Sequence, residues 1–144
     1  MGQQNHRTAQ TERQMPLALN QLGQVSLSVD DIDAAERFYS ETLGLRKLYR
    51  FGDLVFFDCA GVRLYIQKVN AQPFAPGSSV LYFRTPDIAI SVRELKAKGV
   101  LFIDDPHLIA PMEDHDLWMA FFKDPAGNML ALMNEAPKGY KPTA

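Results

Sequence analysis

Apolar and polar residues alternate along Gln24-Val25-Ser26-Leu27-Ser28-Val29, the period of two that marks a half-buried strand. The period then changes. Across Ala34 to Leu43, the residues Ala35, Phe38, Tyr39 and Leu43 fall on one face of a helix. Asp30, Asp31 and Asp33 precede that face as N-cap candidates, and Gly44 follows it as a natural stop. Leu45 to Tyr49, Leu54 to Asp58 and Val62 to Lys68 read as three further strands, with turns at Gly52-Asp53 and Ala60-Gly61. The pattern predicts a β-α-β-β-β unit.

Pro73, Pro76 and Gly77 interrupt the pattern over residues 70–79, as a linker would. It then restarts. Val80 to Thr85 reads as a strand, Pro86-Asp87-Ile88 opens a helix over Ala89 to Lys98, and Gly99 ends it. Val100 to Ile103 and His107 to Ala110 read as strands, followed by a hairpin from Leu117 to Met133. In that hairpin two apolar runs flank Lys123-Asp124-Pro125-Ala126-Gly127-Asn128. Pro125 presets φ for a turn, Gly127 tolerates positive φ, and Asp124 and Asn128 can bond back to their own backbone. Ile32 and Ile88 lie 56 residues apart, and Gly44 and Gly99 lie 55 apart. Two units of such similar length are an internal repeat. The expected organisation is α+β: one domain over 20–136, with repeat one at 22–69, the linker at 70–79 and repeat two at 80–134. Residues 1–19, rich in Gln, Asn, Thr and Arg, read as a flexible tail, and 137–144 as a short C-terminal tail.

Composition narrows the function classes. The chain has 144 residues and a net charge of −2, and its basic residues are scattered. That balance argues against nucleic acid or an anionic membrane surface as partner. No apolar run approaches the roughly 20 residues that span a bilayer, and the N-terminus has no hydrophobic signal core. A single cysteine, Cys59, excludes an internal disulfide and fits a cytoplasmic protein.

The hairpin also carries a resemblance. An aromatic, then Asp-Pro-x-Gly-Asn, then apolar residues closes many members of the vicinal-oxygen-chelate superfamily, which includes glyoxalases, extradiol dioxygenases and bleomycin-resistance proteins. Asp124-Pro125-Ala126-Gly127-Asn128-Met129-Leu130 resembles that signature, and Phe38-Tyr39…Leu43-Gly44-Leu45 resembles the helix exit of the first repeat. The likeness runs from about Leu22 to Asn134. It implies two β-α-β-β-β repeats forming a cupped, eight-stranded mixed sheet whose hollow is the ligand site. It also implies a homodimer.

Metal-binding members place one ligand on each of four strands. Carried over by motif, those positions are Gln24, Tyr65, Val80 and Ala131. Only Gln24 is a good donor. A phenol such as Tyr65 binds a divalent ion well only after losing its proton, and Val80 and Ala131 have no donor at all. The expectation is therefore a chain with neither metal nor other cofactor.

Residues two apart share a strand face, so Ser26 and Ser28 accompany Gln24, Arg63 and Gln67 accompany Tyr65, and Tyr82 and Arg84 accompany Val80. Such a mixture suits a small, partly apolar ligand. The plainer reading makes Met129, Met133 and Tyr82 core, and it is the favoured one for the two methionines. His115, set among Glu113, Asp114 and Asp116, is the candidate acid or base, and a loop beside the cup would also let Trp118 touch a ligand. The plainer alternative is a solvated acidic loop, with Trp118 at a dimer interface and His107 structural. The expected ligand-binding set is Gln24, Ser26, Tyr65, Tyr82, His115 and Trp118. The favoured function is metal-free binding of a small molecule in the cup. The alternative is a lyase, isomerase or dioxygenase of the same superfamily, either metal-free or metal-dependent through an unrecognised ligand set.

Overall fold

A computed structural model describes residues 17, 20–70, 74–77 and 79–142. The first repeat contains β1 (Gln24–Val29), α1 (Ile32–Arg37), β2 (Arg46–Phe51), β3 (Leu54–Cys59) and β4 (Val62–Lys68). The second contains β5 (Leu81–Arg84), α2 (Ile88–Ala97), β6 (His107–Pro111), β7 (Asp116–Lys123) and β8 (Met129–Ala136). The proposed N-terminal tail lies outside the described residues except at Leu17, and part of the linker does too.

Both expected units are present, and their strands divide between two four-stranded sheets. The orders are β1-β4-β3-β2 and β5-β8-β7-β6. In each, the first strand pairs parallel with the last and the rest are antiparallel. The run Val100 to Ile103 does not become a strand. Phe102 makes one isolated bridge to Phe122, and Ile103 N–H donates to the carbonyl of Phe121 at 2.8 Å.

Helix boundaries follow the caps. Asp31 accepts from Ala34 N–H at 3.0 Å, and Asp87 accepts from the N–H groups of Ala89 and Ile90. Beyond Arg37 the chain widens into a π-helical turn, Phe38–Thr42, which brings both Phe38 and Tyr39 into the interior. Gly44, at φ +77°, then ends the helix in the left-handed region.

Strand alternation sorts each sheet into two faces. One face of the first sheet buries Leu27, Val29, Val55, Phe57, Leu64 and Ile66 beneath α1. One face of the second buries Ala120, Phe122, Leu130 and Leu132 beneath α2. These residues form a single core that spans both repeats. The opposite faces, bearing Gln24, Ser26 and Tyr65 on one sheet and Tyr82 and Arg84 on the other, stay at least partly open to solvent.

The Asp-Pro-Ala-Gly-Asn turn joins the halves. Asp124 is 4% exposed, and its Oδ1 accepts from the N–H groups of Ala126 and Asn128. Its Oδ2 accepts from the Tyr39 hydroxyl and from Asn128 Nδ2, both at 2.9 Å. Burial, with Asp124 beside it, pushes the Tyr39 phenol far above its ordinary value, so it stays a donor. Asn128 Nδ2 also donates to the Ser28 carbonyl on β1 at 2.9 Å, and Asn128 Oδ1 accepts from Gly77 N–H. Every side-chain polar atom of Asp124 and Asn128 therefore has a partner, as burial demands.

Candidate functional site

The open face of the first sheet carries a row of three rings. Tyr49 on β2, Phe56 on β3 and Tyr65 on β4 are brought into line by register, since Tyr49 pairs with Phe56 and Phe56 with Tyr65. Adjacent ring centroids are 4.8 Å apart, with Phe56 and Tyr65 only 7° from parallel. The Arg63 guanidinium carbon lies 5.7 Å from the Phe56 centroid, within cation–π range. Tyr65 donates from its hydroxyl to Gln67 Oε1 at 3.0 Å. Gln24 and Ser26, on β1, pair in register with Arg63 and Tyr65. Three of the expected ligand contacts thus share one surface.

The second sheet carries a matching row. Tyr82 on β5 and Phe121 on β7 both register against Ala131 on β8. Their rings meet edge to face above it, centroids 6.2 Å apart, and Ala131 is left with no exposed area. His107 stacks on the far side of Phe121 at 6.1 Å. A longer side chain at 131 would have to part Tyr82 from Phe121.

His115 stands at the rim of this second face. Its Nδ1 lies 2.7 Å from Asp114 Oδ1, and its Nε2 lies 3.8 Å from Glu135 Oε2. Glu135 in turn faces Arg84 at 3.5 Å. The hydrogen bond from His115 holds the exposed Asp114 carboxyl below the usual carboxylate range. His107 has a local anchor of its own, with Asp104 Oδ2 at 3.2 Å.

Trp118 is turned the other way. It shares strand parity with Ala120 and Phe122, packs against the core and meets the Tyr140 ring edge to face at 6.5 Å. Its indole nitrogen is buried without a hydrogen-bond partner among the described residues. Trp118 is therefore separated by the sheet from the Tyr82–Phe121 row.

The four metal positions do not fit a metal. Gln24 offers an amide oxygen, Tyr65 is stacked on Phe56, Val80 has no donor, and Ala131 is sealed under two rings. Among the described residues no three or more His, Cys, Asp or Glu side chains are grouped so as to hold an ion. A small cavity of about 200 Å³ lies between the repeats, lined mainly by core-side residues, among them Val25, Cys59 and Leu64 from the first and Leu81 and Phe83 from the second, with Arg63 and Tyr82 at its edge. Burial raises the Cys59 thiol above its ordinary value, which leaves it a poor nucleophile.

Residues 21–132, most of the chain, match the Glyoxalase/Bleomycin resistance protein/Dioxygenase superfamily. The chain belongs to that superfamily. Solved structures agree with the fold. An integron cassette protein from the mobile metagenome of V. cholerae superposes with a TM-score of 0.70 at 19% identity, covering 85% of this chain and 100% of that one. A lactoylglutathione lyase from Agrobacterium tumefaciens superposes with a TM-score of 0.66 at 24% identity, covering 86% and 100%. A glyoxalase/bleomycin resistance protein/dioxygenase from Nocardioides gives 0.67 at 20% identity, covering 96% and 98%. Identities this low speak to the superfamily fold and not to a shared substrate. A search of curated proteins finds no match.

The residues that sequence reasoning missed are Tyr49, Phe56, Phe121 and Glu135. Each lies on the same sheet face as an expected site residue, but on another strand. Only the pairing register brings them together. The period-two pattern does contain one usable signal: Phe122 is the more central apolar residue of the hairpin, and its parity would have assigned Trp118 to the core and Phe121 to the open face.

Proposed function

We propose that this superfamily member binds a small, planar, partly apolar molecule against its two aromatic rows, and does so without a metal. The observation that carries the reading is the replacement of two metal positions by ring packing, Tyr65 stacked on Phe56 and Ala131 closed beneath Tyr82 and Phe121. Rings on a sheet are rigid platforms for stacking, each pair adding about 0.5–1.5 kcal/mol beyond area burial. Arg63, Gln24 and Ser26 supply the few polar groups that orient a ligand there. A homodimer belongs to the same proposal, because a second copy would cover open faces that leave Phe51 74% and Tyr82 49% exposed. So does a cytoplasmic setting, which suits a single half-buried thiol. No helix among the described residues is long and apolar enough to cross a membrane.

A second reading, an acid–base enzyme, has one observation in its favour: His115 lies between Asp114 and Glu135 at the rim of the Tyr82 face. The test is a thermal-shift screen of planar phenols, quinones and heteroaromatics, followed by titration calorimetry on the best hit and elemental analysis of the purified protein. Tyr65→Ala and Tyr82→Ala are each expected to weaken binding about tenfold, or about 1.4 kcal/mol, with metal content far below stoichiometric. A stoichiometric ion, or turnover of the hit that His115→Ala abolishes, would replace this reading with the enzymatic one.

A further inference from the structure

Cross-strand register sets out the open face of the first sheet as rungs, each crossing the strands in the order β2-β3-β4-β1. One rung is charged: Arg46, Asp58, Arg63 and Gln24. The next is Tyr49, Phe56, Tyr65 and Ser26. Beyond it Gln67 and Ser28 stand side by side. Successive rungs are two residues apart along each strand, or about 6.6 Å.

The aromatic rung stops one strand short of the sheet edge. Tyr49, Phe56 and Tyr65 follow one another at 4.8 Å, and the last two rings are 7° from parallel. Phe56 takes one face of Tyr65, so the other face turns towards β1. The residue opposite it there is Ser26, which is exposed and too small to cover a ring. No second ring stacks on Tyr65 among the described residues. The second sheet treats its small residue differently. Ala131 stands between two ring-bearing strands, and Tyr82 and Phe121 close over it. Ser26 has a ring on one side only, because β1 is an edge strand. A planar group above Ser26 would continue the stack on Tyr65.

The charged rung beside that place holds two guanidiniums and one carboxylate. Asp58 is engaged away from Arg63: its Oδ2 lies 3.6 Å from Arg46, and its Oδ1 accepts from Gly61 N–H at 3.1 Å. Arg63 is exposed and enters none of the ion pairs found among the described residues. It reaches from its own rung towards the aromatic one, its guanidinium carbon 5.7 Å from the Phe56 centroid. On the opposite side, the Tyr65 hydroxyl occupies Gln67 Oε1, which leaves the Gln67 amide nitrogen as a donor. The side chains of Gln24, Ser26 and Ser28 enter no hydrogen bond among the described residues. The place above Ser26 thus has an aromatic wall, a cation at one end and uncharged polar groups at the other.

We infer that the first aromatic row binds an aromatic carboxylate. The ring lies on Tyr65 above Ser26, the carboxylate meets the Arg63 guanidinium and the Gln24 amide, and a para hydroxyl points towards Gln67. A guanidinium and a carboxylate match in fork geometry, and such charge-assisted bonds are about twice as strong as neutral ones. This inference rests on the reading of the aromatic rows as a ligand surface and narrows it to anionic rings.

The probes are 4-hydroxybenzoate and its neutral counterpart 4-hydroxybenzamide, titrated at neutral pH into the full-length protein and followed by two-dimensional amide NMR. Saturable shifts are expected at the amides of Ser26, Arg63 and Tyr65, with the benzamide at least about tenfold weaker. Arg63→Gln should bring the two dissociation constants within about twofold of each other. Ser26→Tyr puts a ring where the ligand's ring would lie and should abolish binding of both. Both variants alter exposed side chains, and the dispersion of the spectrum reports directly whether the fold persists. The inference is overturned if the benzamide binds as tightly as the acid, if Ser26→Tyr keeps full affinity for the acid, or if the acid gives no saturable shift. Loss of benzamide affinity in Tyr65→Ala would then keep the aromatic rows as a ligand surface and discard only the acid. Planar compounds that ignore Tyr65→Ala altogether would discard both.

Discussion

Ala131 is the residue on which the chemistry turns. A carboxylate there would fall between two rings whose centroids are 6.2 Å apart, on a strand position with no exposed area. Ala131→Glu is therefore expected to destabilise the fold by about 1–3 kcal/mol through overpacking and charge burial, without creating metal affinity, since Val80 contributes no donor. Denaturant unfolding with and without Zn(II) checks it; a midpoint that rises in zinc would show the position still competent. That Val80 and Ala131 offer no donor atom is legible from residue identity alone. What filled the space was not, because Phe121 and Phe56 reach the site through cross-strand register.

Asp124 is the other decisive residue, and its role is structural. Tyr39→Phe removes one of two donors to Oδ2 while keeping the ring's edge-to-face contact with Phe38 at 5.2 Å. The expected cost is about 1–3 kcal/mol, the range for a buried acceptor left short of a partner, read from chemical denaturation. A change within error would mean that Asn128 alone satisfies that oxygen. The turn motif announced Asp124 and Asn128 in the sequence. It could not announce Tyr39, which lies 85 residues away.

At the scale of elements, strands and helices were legible wherever the apolar period matched a partner. Val62–Lys68 forms the strand its pattern predicts. Val100 to Ile103 shows the limit. Its alternation is real, with Val100 buried and Leu101 exposed, but only Phe102 finds a bridging partner, on β7. Alternation identifies two faces and says nothing about whether a neighbouring strand exists to complete the ladder.

The α2 N-terminus yields a pH prediction. Tyr140 donates to Asp87 Oδ1 at 2.8 Å, and this bond, ahead of those from Ile90 and Ala89 N–H, holds the Asp87 carboxyl below its ordinary value. A carboxylate lowered by folding stabilises the native state when ionised. That contribution is present above the unfolded value, about pH 4, and is lost as pH falls through the lower, folded one. Asp116, lowered first by Lys138, behaves alike. Tyr140→Phe should raise the Asp87 value towards normal, so that the Asp87 titration followed by NMR shifts to higher pH. An unmoved titration would assign the lowering to the backbone donors.

At the scale of the molecule, the two repeats share one core and expose two aromatic faces on separate sheets. If a second copy covers those faces, Phe51→Asp, which alters a residue 74% exposed, should convert a dimer into a monomer by light scattering and leave the circular dichroism spectrum unchanged. A monomeric wild-type chain at micromolar concentration would end the dimer proposal. Fold class could be read from the sequence because it rests on local period. The relation between the sheets could not, because it depends on contacts made across the whole chain.

The bond from Asn128 Nδ2 to the Ser28 carbonyl spans 100 residues. At synthesis rates of about 5–20 residues per second, β1 waits some seconds on the ribosome before the side chain that ties its outer edge is made. Throughout that interval the edge is a bare template for any extended segment nearby. The last hairpin turn among the described residues thus closes their first strand, and a nascent chain stalled before Asn128 should be the species that aggregates.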